Sequence, residues 1–247
     1  MNALLQNPYT EAWDKLGAKL PRPKAIVCVS AHWYIQDAAV TVSTRPKTIH
    51  DFGGFPRELY HVQDDPTDDE TQNWRIAFSS CWLRCRCDLT NAGGSTMALG
   101  RCSATVYPKG EVPIVQLSID ETQPPSFHQE IGQRLASLRE EGVLITGSGN
   151  VVHRLHAYAW GRHPQEPYEW TVSFEKRVRE LLLAGEHQPL VDYQNKLGSE
   201  ARLAAPTPDH YLPLLYVIGT RTASEPVTFP VEGVDGGSIS MLAVQVG

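Results

Sequence analysis

Lys24-Ala25-Ile26-Val27-Cys28-Val29-Ser30-Ala31-His32-Trp33 carries five apolar residues, Ala25 to Val29, directly into Ser-Ala-His-Trp. A continuous apolar run of this length predicts a strand buried on both faces, as in a sheet covered by helices. His32 is then expected at the carboxyl end of that strand. In open α/β sheets ligands bind in the crevice outside the carboxyl ends of the strands, so His32 becomes the first candidate site residue.

Outward from this strand the chain alternates. Residues 39–43 and 112–119 are β-rich, and residues 126–140 keep helical spacing through Phe127, Ile131, Leu135 and Leu138, with Gly142 as a C′ stop. Residues 143–147 return as a strand. A second amphipathic helix is expected near 171–184, with Val178, Leu181 and Leu182 inside and Glu175, Lys176 and Arg179 outside. Residues 238–246 read as one closing strand. Strands separated by helices predict a single α/β domain over residues 1–247, built on a central mixed β-sheet flanked by helices. From residue 64 to about 104 both periods vanish, and the stretch reads as anomalous for a compact domain.

Composition narrows the function classes. The chain has 247 residues, 22 basic and 28 acidic, for a formal charge of -6. It carries no Lys/Arg block, so neither nucleic acid nor an anionic membrane is an expected partner. The first residues have no basic n-region and no long apolar run, so a cytoplasmic location is expected by default. Of the five cysteines, Cys28 reads as a small core residue, while Cys81, Cys85, Cys87 and Cys102 crowd one stretch. Their spacing matches no common structural zinc site.

Three histidines stand at the ends or starts of regular elements. A metal-bound imidazole must be neutral and held in one rotamer, which the ends of packed elements provide. His32 fits a metal ligand better than a core histidine bonded to a backbone carbonyl. His153 follows Gly147-Ser148-Gly149-Asn150, a turn that admits close approach of backbone to a bound species, and suits either a ligand or a general acid/base. His210 lies in Pro206-Thr207-Pro208-Asp209-His210, with Thr207 as expected N-cap and Pro208 as first helical residue. The positive helix end would keep its imidazole neutral, as a ligand requires. His50 sits in a Gly-Pro loop with two aromatics and is either substrate-facing or part of an ordinary turn. His61, His128, His156, His163 and His187 lie mostly among polar residues and read as surface. By themselves these residues indicate a metal-dependent enzyme.

Four segments together resemble one family. Ser30-Ala31-His32-Trp33, Thr48-Ile49-His50-Asp51-Phe52-Gly53-Gly54-Phe55-Pro56, Gly149-Asn150-Val151-Val152-His153 and Pro206-Thr207-Pro208-Asp209-His210-Tyr211-Leu212-Pro213-Leu214 resemble the 4,5-DOPA extradiol dioxygenases, a branch of the class III ring-cleaving dioxygenases. The resemblance runs in order through residues 1–63 and 105–247. It implies an α/β fold with a mononuclear Zn(2+) or Fe(2+) site and insertion of O2 into a catechol ring, as in DOPA, beside its paired hydroxyls. It further implies that His32 and His210 match metal positions. His153 matches an active-site histidine that is a metal contact in some members and has acid/base work assigned to it. His50, in one of the resembling segments, is the expected substrate-binding residue.

The chain departs from the family pattern in two places. The family's Gly-His-Gly-Ser-Pro motif would fall just ahead of Met1. Its Trp-Gly-x-Asp-His-Gly motif is replaced by Ala92-Gly93-Gly94-Ser95-Thr96-Met97-Ala98-Leu99-Gly100. Synonymous codons exist for those residues that, read from the third base onward, spell Trp-Gly-Val-Asp-His-Gly-Ser-Gly. A double frameshift bounding residues 64–104 and a late start would therefore account for both departures. Two other expectations stand beside the dioxygenase: a catalytically impaired metal-binding protein, and a zinc hydrolase using His32, His153 and His210.

Overall fold

The computed structural model describes residues 6–41, 112–161 and 165–247, and the backbone alone at 48–49, 88–90 and 95–96. The apolar run forms strand β1 (Ala25–Ile35), buried from Ala25 to Ala31 and again at Trp33. It is preceded by helix α1 (Pro8–Lys19). Asn7 and Thr10 close a capping box there, and Pro8 opens the first turn, where its missing N–H costs nothing.

Strand β1 lies between its two parallel neighbours, β6 (Ile114–Asp120) and β7 (Val143–Ser148). Strand β2 (Ala39–Thr41) runs antiparallel to β6, and β4 (Asp88–Thr90) pairs parallel to β2. The resulting five-stranded order is β4-β2-β6-β1-β7. A further short parallel pair joins β3 (Thr48–Ile49) to β5 (Ser95–Thr96). The central mixed sheet is thus the one expected, with β4 and β5 arising in the stretch that carried no period.

Strand β6 is buried along its whole length although Gln116, Ser118 and Asp120 are polar. The Ser118 and Asp120 side chains each meet a partner there, and so does the Gln116 main chain. Ser118 accepts the Ala39 N–H at 2.7 Å, Thr41 Oγ1 accepts the Gln116 N–H at 2.9 Å, and Asp120 takes the Thr122 N–H and hydroxyl at 2.9 and 2.6 Å. The first two bonds stitch β2 to β6 where the ladder has a single residue pair, Val40 with Leu117.

The backbone divides into two units, Met1–Thr122 with Ser137–Ser148, and Gln123–Ala136 with Gly149–Gly247. The first holds the sheet. The second begins in helix α2 (Pro125–Glu140) and continues through α3 (Glu169–Ala184), the short α4 (His187–Val191), α5 (Tyr193–Lys196) and α6 (Ala201–Ala204), and α7 (Leu212–Gly219). In this unit Gly132 of α2 faces the backbone of Tyr216 and Gly219 on α7, and Gly219 in turn faces Gln129 and Gly132. A methyl group at either glycine would collide with main chain, so the pair sets how closely the helices cross.

Helix α3 buries Thr171, Phe174, Val178, Leu181 and Leu182 and ends at left-handed Gly185. Glu175 departs from expectation: its side chain is only 12% exposed, against the predicted outer position. The expected closing strand is two strands. Strand β10 (Ile239–Ser240) pairs with β9 (Val234–Asp235), and β11 (Ala243–Val246) pairs with β8 (Val227–Val231). Between them the Met241 N–H bonds Gly233 and the Leu242 N–H turns to the Ser240 hydroxyl at 3.2 Å, which breaks the ladder.

Candidate functional site

His210 stands on a turn ahead of α7, not in its first turn as expected. Tyr211 and Leu212 both donate their N–H to the Pro208 carbonyl at 2.9 Å, and the helix begins at Leu212. Pro213 explains the shift. A helix begun at Pro208 would place Pro213 in its interior, where a main-chain donor is required; begun at Leu212, it puts Pro213 in the first turn. Thr207, the expected N-cap, does not cap this helix.

The segment after β7 holds His210 in place from the other side. The Asn150 N–H donates to the His210 carbonyl at 2.9 Å, and Asn150 Oδ1 lies 3.1 Å from His210 Nδ1. Asn150 Nδ2 donates to the Ser240 carbonyl at 2.7 Å. Gly149 lies so close to the His210 carbonyl that any Cβ would strike it. The turn is expected to bring backbone close to a bound species; the close neighbour it has is the main chain of His210.

His153 is anchored by its own backbone. Its N–H reaches the Ala204 carbonyl at 2.8 Å, and it forms an isolated antiparallel bridge with Ile239. The flanking Val152 carbonyl accepts the Ser240 N–H at 2.9 Å, and the Ser238 hydroxyl donates to the Arg154 carbonyl at 2.9 Å. The rings of His153 and His210 are thereby brought face to face, with centroids 3.4 Å apart and planes within 5°. Both histidines are half-buried. Asp209 Oδ2 lies 3.7 Å from His210 Nε2, too far for a hydrogen bond.

Beneath this pair is a block of tyrosine. Tyr211 is fully buried, donates its hydroxyl to the Leu190 carbonyl at 3.0 Å and stacks on Tyr193 at 4.0 Å. Burial, and secondarily Tyr193, pushes its phenol well above the usual range, so it serves as a neutral anchor. On the far side of Ser240, burial raises the Glu175 carboxyl, against the lowering effects of a Ser240 hydrogen bond and Arg179.

The remaining candidates fall elsewhere. His32 is exposed on β1 of the first unit, three residues short of the strand's end and not at its terminus. It lies where the β1–β6 register slips, between Val29 and Tyr34, and beyond the last β1–β7 pair, Ser30 with Ser148. Register slips re-aim side chains, which gives an exposed histidine a fixed place between buried Ala31 and Trp33. His50, Cys81, Cys85, Cys87, Cys102 and residues 92–94 and 97–100 lie outside the described residues. His128, expected at the surface, is fully buried, its Nδ1 2.9 Å from the Tyr216 hydroxyl. His187 is half-buried too, and burial, then Arg221, lowers its pKa.

Asn150 is the residue the sequence argument missed in its role. It was visible as a turn residue between β7 and His153, but its partner is 60 residues away. In the second unit His210 Nδ1 lies against the Asn150 amide oxygen, the kind of partner that metal-ligating imidazoles have behind them. Parallel stacking puts the lone pairs of His153 and His210 in planes 3.4 Å apart, so one ion cannot lie in both planes. Among the described residues no group of three or more His, Cys, Asp or Glu stands ready to hold a metal.

No family model matches the chain. It is 44% identical over 250 residues to an Escherichia coli protein named 4,5-DOPA dioxygenase extradiol, an alignment spanning 100% of this chain and 91% of that one. The chain belongs to the 4,5-DOPA extradiol dioxygenase family. A plant relative of the same name, from Beta vulgaris, is 30% identical over 241 residues and covers 94% of this chain and 85% of its own. The crystal structure of an uncharacterized Escherichia coli protein superposes with a TM-score of 0.80 at 39% identity, covering 98% of this chain and 93% of that one. The α/β fold of this extradiol dioxygenase is therefore shared with a solved relative.

Proposed function

We propose that this family member is a metal-dependent extradiol dioxygenase that opens a catechol ring beside its paired hydroxyls, with DOPA or a related catechol as substrate. The observation that carries this reading is the His153–His210 pair, stacked and backbone-anchored in a chain so similar to a named DOPA dioxygenase. His32 and His210 are proposed to hold a divalent iron or zinc ion, and His50 to face the substrate. When bound, such a metal supplies open positions and charge at which catecholate oxygens and O2 meet.

His153 is proposed to do the proton work. An imidazole nitrogen of His153 takes the second phenolic proton as the catechol binds and returns it as the ring opens. The bridge to Ile239 holds its backbone, and the stack on His210 holds its ring. The parallel stack favours this acid/base role for His153 over a shared ligand role.

The test is oxygen consumption by the full chain on DOPA with Fe2+ or Zn2+ supplied. One O2 consumed per catechol opened supports the reading. Metal binding with no uptake on any catechol overturns it, as does ester or amide hydrolysis that is unaffected when oxygen is removed.

A further inference from the structure

We propose that Asn150 is a positioning residue that fixes the tautomer of His210. Asn150 Nδ2 lies 2.7 Å from the Ser240 carbonyl, which only accepts. This contact sets the orientation of the amide: flipping it would set two oxygens against each other. Asn150 Oδ1 therefore faces His210 Nδ1 at 3.1 Å, and an amide oxygen can only accept. The proton of the neutral imidazole must sit on Nδ1, which puts the lone pair on Nε2.

The alternative tautomer has a sponsor, Asp209, whose carboxylate would attract a proton on Nε2. It stands 3.7 Å away, beyond hydrogen-bond reach, whereas Asn150 is within it. The distances decide for Nδ1–H. The Ser240 backbone that locks the amide is itself held, since its N–H donates to the Val152 carbonyl at 2.9 Å. The Asn150 N–H to the His210 carbonyl at 2.9 Å adds a second tie between the same two residues. Asn150 thus grips His210 by main chain and ring at once, and transmits to it the position of β10.

The tautomer assignment needs no metal. Its consequence, that Nε2 is the ligating atom, rests on the dioxygenase reading above. The experiment is imidazole nitrogen NMR on the full chain, labelled at histidine and assigned to His210 with His210→Gln, before and after Zn2+ addition. Zn2+ affinity is measured by chelator competition on the same samples. The wild type is expected to show Nδ1–H and bare Nε2 without metal, and a metal-shifted Nε2 with Zn2+. Asn150→Leu should mix the tautomers and weaken Zn2+ binding about 10- to 100-fold, the usual cost of losing a partner behind a metal-bound histidine. Asn150→Asp, which restores an acceptor, should return the Nδ1–H signal and most of the affinity.

A wild-type spectrum with the proton on Nε2 overturns the proposal, and it does so even if the leucine variant fails to fold. So does a folded Asn150→Leu protein with an unchanged His210 spectrum. Nδ1–H in a wild type that binds no Zn2+ leaves Asn150 its role and refutes the metal reading instead.

Discussion

His153 and His210 share one stacked geometry and yet are expected to fail differently. His210→Ala should remove bound metal, as should His32→Ala, measured by metal analysis of the purified protein. His153→Ala should keep metal and lose turnover by about 10²- to 10⁴-fold, the range typical of a missing acid/base group. Equal metal loss in His153→Ala would make it a ligand after all. Tyr211, directly after His210, offers a separate test. Tyr211→Phe removes one hydroxyl and leaves the Leu190 carbonyl buried without it, at a cost of about 1–3 kcal/mol by urea denaturation. That His32, His153 and His210 are candidate site residues could be read from their flanks. That two of them would stack could not, because the bridge of His153 to Ile239 and the tie of His210 to Asn150 are contacts between distant segments.

Elements were legible where a period ran uninterrupted and illegible where one residue's hydrogen bonding overruled it. Residues 126–140 were read almost to their ends, since Ile131 and Leu135 face the core and Gly142 takes the left-handed φ of 86° that stops the turn. The start of α7 was misplaced because a proline at Pro208 invites a helix while Pro213 forbids one that early. The closing strand broke in two because the Ser240 hydroxyl captures a ladder donor. His128 reads as surface because its neighbours are mostly polar; the buried face is rotated from the predicted stripe and takes in His128 and Gly132 with Ile131 and Leu135. That rotation yields a prediction. Gly132→Ala drives a methyl into the Tyr216 main chain, so it should cost about 1–3 kcal/mol, the range for overpacking, and lower the thermal midpoint accordingly. A midpoint equal to wild type would mean that α2 and α7 can part without penalty.

At the scale of the molecule, no helix among the described residues is long and apolar enough to cross a membrane. The net charge of -6 includes an acidic run, Asp64-Asp65-Pro66-Thr67-Asp68-Asp69-Glu70, and no matching Lys/Arg block. The charge with a pH consequence is Glu175. Burial raises its carboxyl above the ordinary value, outweighing Arg179 and the Ser240 hydrogen bond, while Glu232 raises it further. A raised carboxyl stabilises the fold fully below the unfolded value near 4.5 and loses that contribution as pH climbs through the folded value. Glu175→Gln should therefore melt higher than wild type at neutral pH, with the gap closing in acid below about pH 4.5. A gap that widens in acid would mean that Arg179 holds the carboxylate charged.

The arrangement of β1 has a consequence during synthesis. Its two sheet partners are far downstream, Ile26 pairing with Ile114 and with Leu144. A ribosome adding about 5–20 residues per second makes Ile26 roughly 4 to 18 seconds before its first partner, Ile114, exists. During that interval an apolar run that the folded protein buries is a nascent, unpaired edge. Its yield in a host cell should accordingly depend on holdase chaperones that shield emerging chains, and on translation speed between the codons for Ile35 and Ser148.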